Sequence, residues 1–196
     1  MDDFLKEMKR DVTDKEIAEH YKTVQDKIKK FGHTTSGTVD GEGHLERPFA
    51  HTFGASFTTG AEFICFFPIK GKGLEVIGTI FNKVIKRIQE NSLEIKNQIL
   101  NDDRIYYLPL AMLVLDNPTQ KDTERVWAKQ LERDALCSEF STDNHKLVLL
   151  IASDKDGILP WEEGCSSYWP QICPPPLVAM AQMAITGKDT LLTKLE

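Results

Sequence analysis

Three stretches of mostly apolar residues constrain the fold of this chain more than any other feature of its sequence. They occupy residues 62–67, 105–115 and 147–152. The first is a continuous apolar run, which is typical of a central strand covered on both faces. Pro109 interrupts the second, so we expect that strand to lie at a sheet edge, to contain a bulge, or to consist of two short pieces.

Helical patterns surround these strands. Thr13 and Glu16 form a capping box, after which apolar residues recur at helical spacing until Gly32 supplies a left-handed stop. Residues 74–89 carry a broad apolar stripe that would cover a sheet face. Further helices are expected at residues 2–9, 122–137 and 177–186. Short strands joined by tight turns are expected between residues 33 and 60.

Strands and helices do not alternate as regular βαβ units, and no glycine-rich fingerprint follows a strand. The sequence therefore predicts an α+β fold with a mostly antiparallel sheet and helices packed mainly on one face. We divide the chain into an N-terminal helical extension (1–32), an α+β core domain (33–173) and a C-terminal helical tail (174–196).

The charge balance argues against nucleic acid as a partner. The chain has a net charge of −6, which repels phosphate backbones. Its small basic clusters, such as Lys29 with Lys30 and Lys86 with Arg87, are interpreted first as solvated helix faces. No stretch is long and apolar enough to cross a bilayer, and the acidic start lacks a signal peptide. We expect a soluble, cytoplasmic protein with reduced cysteines that could self-associate.

Several well-known catalytic and metal-binding motifs are absent or incomplete. A nucleophile elbow at residues 54–58 lacks its last glycine, and only the first half of a zinc-deaminase signature is present. The sequence contains neither a P-loop nor an H-E-x-x-H motif. A calcium loop in the register starting at Ala152 would use Asp154, Asp156 and Glu163. However, Ala152 replaces the usual aspartate, and an ordinary turn explains the same residues. No metal or cofactor is predicted.

Histidines and carboxylates cluster at one place in the sequence. Glu46 and His51 lie near each other, and Glu62 opens the next apolar strand. If the strands around His51 and Glu62 pair, the imidazole and the carboxylate would come within hydrogen-bond reach and suit proton transfer. The alternative is structural: a His–Glu contact, or an Arg47–Glu62 contact that satisfies a half-buried charge. A metal site of His44, Glu46 and His51 lacks an established ligand spacing.

A second group of candidate residues lies in a loop near the C-terminus. Cys165 follows a glycine and is the best candidate for an exposed thiol, so a Cys165–His51 nucleophile pair is also considered. Trp161 is one of three aromatic residues crowded into this stretch, which would line a pocket or cap the end of the sheet.

These segments resemble a bacterial family, the domain-of-unknown-function family 4262. The resemblance rests on ERPFAHTFG at residues 46–54, EFI at 62–64 and DKDGILPWEEG at 154–164, and it covers residues 37–171. His51 and Cys165 stand where the family typically has tyrosine, and Gly60 and Ala61 replace its His-Pro. The resemblance implies a fold and a candidate face, but no reaction.

We therefore expect a protein that binds a small molecule or a partner protein. The site would combine Glu46, Arg47, Thr52, Phe53, Asp156 and Trp161 for binding. One alternative is a hydrolase or transferase using His51 and Glu62, or Cys165. Another is an effector, toxin-associated or immunity protein that binds through its added helices, which predicts an exposed apolar stripe of Leu177, Met180, Ala181 and Ala184.

Overall fold

The structure is a computed structural model that describes residues 14–38, 49–66, 73–115, 146–166 and 175–187. Ten elements follow in chain order: α1 (Asp14–Phe31), β1 (Thr34–Thr38), β2 (Phe49–Phe53), α2 (Ser56–Thr59), β3 (Ala61–Cys65), α3 (Gly73–Gln89), β4 (Gln98–Leu100), β5 (Leu110–Leu115), β6 (Lys146–Ala152) and α4 (Pro175–Thr186).

The six strands form one sheet in the order β1-β2-β3-β6-β5-β4. Neighbouring strands are antiparallel except for the central pair, β3 and β6, which run parallel with Ala61 opposite Lys146 and Cys65 opposite Leu150. Both central strands are buried along nearly their whole length, as their continuous apolar runs predict. The α+β class and the mostly antiparallel sheet are confirmed.

The helices are not confined to one face of the sheet. In β3, the side chain of Phe63 packs in a cluster with α3, whereas that of its neighbour Ile64 packs in a cluster with α4. Successive side chains of a strand point to opposite faces, so α3 and α4 cover different faces. The expectation that the helices pack mainly on one face stays a prediction, since at least one described helix lies on each face. Each face needs a cover because the central strands are apolar on both sides.

The strand at residues 105–115 begins only after its proline. Leu110 starts β5, and the carbonyl of Pro109 instead accepts a hydrogen bond from Ser153 N at 3.0 Å. A proline at the start of a strand removes no ladder hydrogen bond. β5 therefore lies inside the sheet, between β6 and β4, rather than at its edge.

Helix α1 packs against the end of β2. Gly32, with φ 81°, ends this helix as predicted, and its amide bonds the carbonyl of Ile28 at 2.7 Å. Val24 and Phe53 are buried together, with Ile28 beside them. Gly54, with φ 83°, allows a close approach, because a Cβ built there would lie 3.0 Å from the side chain of Ile28. The stripe of α1 thus docks on its own sheet.

The C-terminal helix also packs on the sheet. Leu177 and Ala181 are only 3% and 0% exposed, whereas Met180 is half-buried and Ala184 is exposed, so only part of the stripe that partner binding through this helix predicts faces solvent. The helix begins at Pro175, which is compatible with the first turn of a helix. The expected helices at 2–9 and 122–137 lie outside the described residues. Among the helices of the described ranges, none has the length and apolar character needed to cross a bilayer.

Two glycine substitutions separate backbone strain from packing. Gly54→Ala and Gly60→Ala each force a residue with a Cβ to adopt positive φ, which costs about 1 kcal/mol. Only Gly54 has a side chain in the way, so Gly54→Ala should lose about 1–3 kcal/mol more in the free energy of unfolding. Urea unfolding of both variants measures the difference. Equal losses would contradict the close contact with Ile28.

Candidate functional site

The carboxylate of Glu62 is buried between β2, β3 and α2, with the residue only 5% exposed. It accepts a hydrogen bond of 2.6 Å from the hydroxyl of Thr52 and one of 2.9 Å from the backbone amide of Ser56. The Thr52 hydroxyl in turn accepts a hydrogen bond of 2.9 Å from the amide of Phe63. These contacts tie two strands and the short helix α2 together, which is a structural use of a buried charge.

His51 neighbours Thr52 in β2, and the strand register sets it opposite Ile64. Of these two residues, Thr52 donates the hydrogen bond to the Glu62 carboxylate described above. The imidazole is 3% exposed and meets the ring of Phe53 edge-on, with 4.4 Å between ring centroids. Burial lowers the pKa of His51 to about 4, partly opposed by a hydrogen bond with the backbone of Thr52. The ring is therefore neutral at pH 7 and enclosed by the fold.

The second predicted group, in the turn after β6, is also held by backbone contacts. One carboxylate oxygen of Asp154 accepts hydrogen bonds from the amides of Asp156 (2.9 Å) and Ile158 (3.0 Å), and the other from Ser166 (2.9 Å). These bonds, that from Ile158 first, hold the pKa of Asp154 below its usual value. In the described ranges no three histidine, cysteine or acidic residues converge as metal ligands. The aspartate therefore shapes the turn, as the ordinary-turn interpretation predicts.

The remaining predicted residues of this turn have different surroundings. Trp161 is partly buried against the cluster that includes α4. Asp156 is exposed and pairs with Lys155 at 3.1 Å. Burial, followed by the charges of Asp154 and Glu162, raises the pKa of the Cys165 thiol. A raised pKa lowers the thiolate fraction and opposes a role as nucleophile.

The two groups are anchored at different points along β6. Glu62 pairs with Leu147 near the beginning of β6, whereas the turn follows Ala152 at its other end. The turn folds back onto the sheet, because Leu159 and the partly buried Trp161 pack in the cluster that includes Ile64. Glu46 and Arg47 lie outside the described residues.

A groove of about 800 Å³ lies elsewhere, beside strand β1 at one edge of the sheet. Helix α1 forms one wall, β1 the base and the C-terminal half of α3 the other wall. Its lining residues are Lys27, Phe31, His33, Thr34, Thr35, Asn82, Ile85, Lys86, Gln89 and Glu90.

Contacts between elements shape this groove. His33 Nε2 donates to Asn82 Oδ1 at 2.7 Å, which joins the start of β1 to α3. Gln89 donates to the hydroxyl of Thr58 at 2.9 Å and so joins α3 to α2. Phe31 is 63% exposed at the end of α1, with Lys30 Nζ 4.9 Å from its ring centroid.

Sequence analysis did not identify this groove. The basic residues near the groove are interpreted as solvated helix faces. No local sequence pattern predicts that the C-terminal ends of α1 and α3, which are far apart in the chain, meet at strand β1. The only local signal is Phe31, an aromatic residue that continues the apolar spacing of α1 up to the stop at Gly32 but remains 63% exposed.

Comparison with known proteins adds no relative. No family model matches the chain, and neither curated proteins nor solved structures give a significant match.

Removing the buried carboxylate should destabilise the protein strongly. Glu62→Ala leaves the Thr52 hydroxyl and the Ser56 amide buried without their acceptor, which should cost about 3 kcal/mol in the free energy of unfolding. The matched control is Thr79→Ala, which removes an exposed hydroxyl bonded to Glu75 and should cost less than about 0.5 kcal/mol. If the two variants lose similar free energies of unfolding in denaturant, the hydrogen bonds of Glu62 do not stabilise the fold.

The buried imidazole predicts a specific dependence of stability on pH. Unfolding exposes His51 and returns its pKa from about 4 to 6.5, so the unfolded state binds a proton that the folded state does not. Stability should therefore fall as pH drops from 6.5 towards 4, by about 3 kcal/mol in all from this residue. His51→Gln should remove this component from urea unfolding measured across that range. An NMR titration of wild-type His51 with a midpoint near 6.5 would contradict the burial.

Proposed function

We propose that this protein binds a small organic molecule in the groove beside strand β1. The groove, at about 800 Å³, carries this proposal because it falls within the range of pockets that hold metabolite-sized ligands. Its lining combines two apolar residues, which provide contact area, with eight polar or charged residues that can fix orientation.

The apolar part comes from both helices. Phe31 offers an exposed aromatic ring on α1, and Ile85, which is 1% exposed, lies in the wall that α3 forms. A flat ligand that covers the Phe31 ring would remove apolar surface from water, worth about 25 cal/mol per Å². The polar part comes from His33 and Asn82, whose mutual hydrogen bond fixes both side chains before a ligand arrives. Fixed groups lose little entropy on binding.

The alternative functions receive less support from the geometry. A hydrolase or transferase based on His51 would need an accessible base, and this ring is buried. An effector or immunity role through α4 would need an exposed apolar stripe, and two of the four predicted residues, Leu177 and Ala181, are buried, whereas Ala184 is exposed. A bacterial source, a cytoplasmic location and kinship with family 4262 belong to the proposal on the strength of the sequence alone.

A thermal-shift screen of metabolites tests this function. A ligand present at 100 times its Kd stabilises the folded state by about 2.7 kcal/mol, which should raise the Tm by about 5 °C or more. Phe31→Ala should weaken a hit at least about tenfold, as loss of a stacking surface predicts. Phe57→Ala is the control, since Phe57 is similarly exposed (53%) but does not line the groove. A broad screen without hits, or hits insensitive to Phe31→Ala, would overturn the proposal.

A further inference from the structure

We infer that the ligand of this groove is an organic anion, in which a carboxylate or phosphate group is attached to a flat apolar body. This inference rests on the proposed function and adds the chemical class of the ligand. It follows from the charges, the hydrogen-bonding groups and the aromatic surface that face the groove.

The charges of the lining favour a negative ligand. Two lysines, Lys27 on α1 and Lys86 on α3, face one acidic residue, Glu90, so the groove has a surplus of positive charge in a chain of net charge −6. The two helices also end here, and the carbonyls at helix C-termini carry partial negative charge. Basic residues in the last turns offset this effect: Lys29 and Lys30 in α1, Lys86 and Arg87 in α3.

Both lysines are available to a ligand. In the part of the chain that the structure describes, no ion pair involves Lys27. Lys86 pairs with Glu90 at 3.7 Å, and both side chains are more than half exposed. Such a surface pair is worth at most about 1 kcal/mol. A ligand anion can therefore draw Lys86 away from Glu90 at little cost.

The hydrogen-bonding groups also favour an acceptor. Because the oxygen of the Asn82 amide accepts from His33, its nitrogen remains as a donor towards the groove. Thr34 and Thr35 are adjacent in β1, so one of their two hydroxyl groups faces the groove. The lysines and the Asn82 amide thus supply donors beside the acceptors of Gln89 and Glu90, and carboxylate and phosphate oxygens accept several hydrogen bonds at once.

The aromatic surface indicates that the anion is organic. Phe31 is 63% exposed, and a bare inorganic ion would leave its ring in water. The volume of about 800 Å³ is also far larger than such an ion needs. A ring stacked on Phe31 would bring a charged substituent within reach of the lysines that flank the groove.

The test compares four probes that share a phenyl ring, together with inorganic phosphate: phenyl phosphate, benzoate, benzyl alcohol and benzylamine. Isothermal titration and NMR should show the two organic anions binding at least about tenfold more tightly than the other three probes. Affinity for phenyl phosphate should fall as salt is raised, because salt screens exposed charges. Lys27→Gln and Lys86→Gln should each weaken it about fivefold or more. Lys22→Gln, an exposed lysine of α1 outside the lining, should leave it unchanged.

The outcomes separate the two proposals. If benzylamine or benzyl alcohol binds as tightly as phenyl phosphate, and Phe31→Ala weakens that binding, the groove is a ligand site but the anion inference is wrong. If inorganic phosphate binds as tightly as phenyl phosphate, the organic part of the inference is wrong. If none of the probes binds, the inference is overturned, and the metabolite screen then decides the proposed function by itself.

Discussion

The hydrogen bonds of the buried Glu62 carboxylate are the interaction on which the packing of β2, β3 and α2 depends. A carboxyl group with so little exposure needs hydrogen bonds in place of water, and a threonine hydroxyl and a backbone amide both donate to it here. The amide belongs to Ser56, the first residue of α2, so the carboxylate fixes where that short helix lies. Because Gln89 of α3 bonds Thr58 in the same helix, this anchoring extends to one wall of the groove.

The molecule thus keeps its polar interior separate from the surface that we assign to ligand binding. Glu62 and Asp154 each have a carboxylate that accepts hydrogen bonds from nearby backbone amides, and both serve to hold chain segments in place. The groove is different, because its charged side chains project into solvent from the ends of two helices. Residues that would do chemistry in many proteins here stabilise the fold, whereas lysines that look like ordinary surface residues line the candidate site.

Periodicity and apolar runs predicted most of the fold, and distant contacts account for what they missed. The buried strands at β3 and β6, the helices α1, α3 and α4 and the stop at Gly32 follow from local sequence. The two-sided placement of the helices and the short strand β4 do not, because both depend on which strands become neighbours. The same limit applies to the site, because the hydrogen bond between Thr52 and Glu62 depends on how β2 and β3 pair. No local sequence pattern predicts that Phe31 and Asn82 line the same groove.

The most direct test of this account is a map of backbone amide shifts as phenyl phosphate is titrated into the isotope-labelled protein. We predict that the changes concentrate at residues 31–35 and 82–90, on the two sides of the groove. Residues around His51 and Glu62, and those of the turn after β6, should shift little. Changes centred on either of those two groups, with the groove unaffected, would contradict the account.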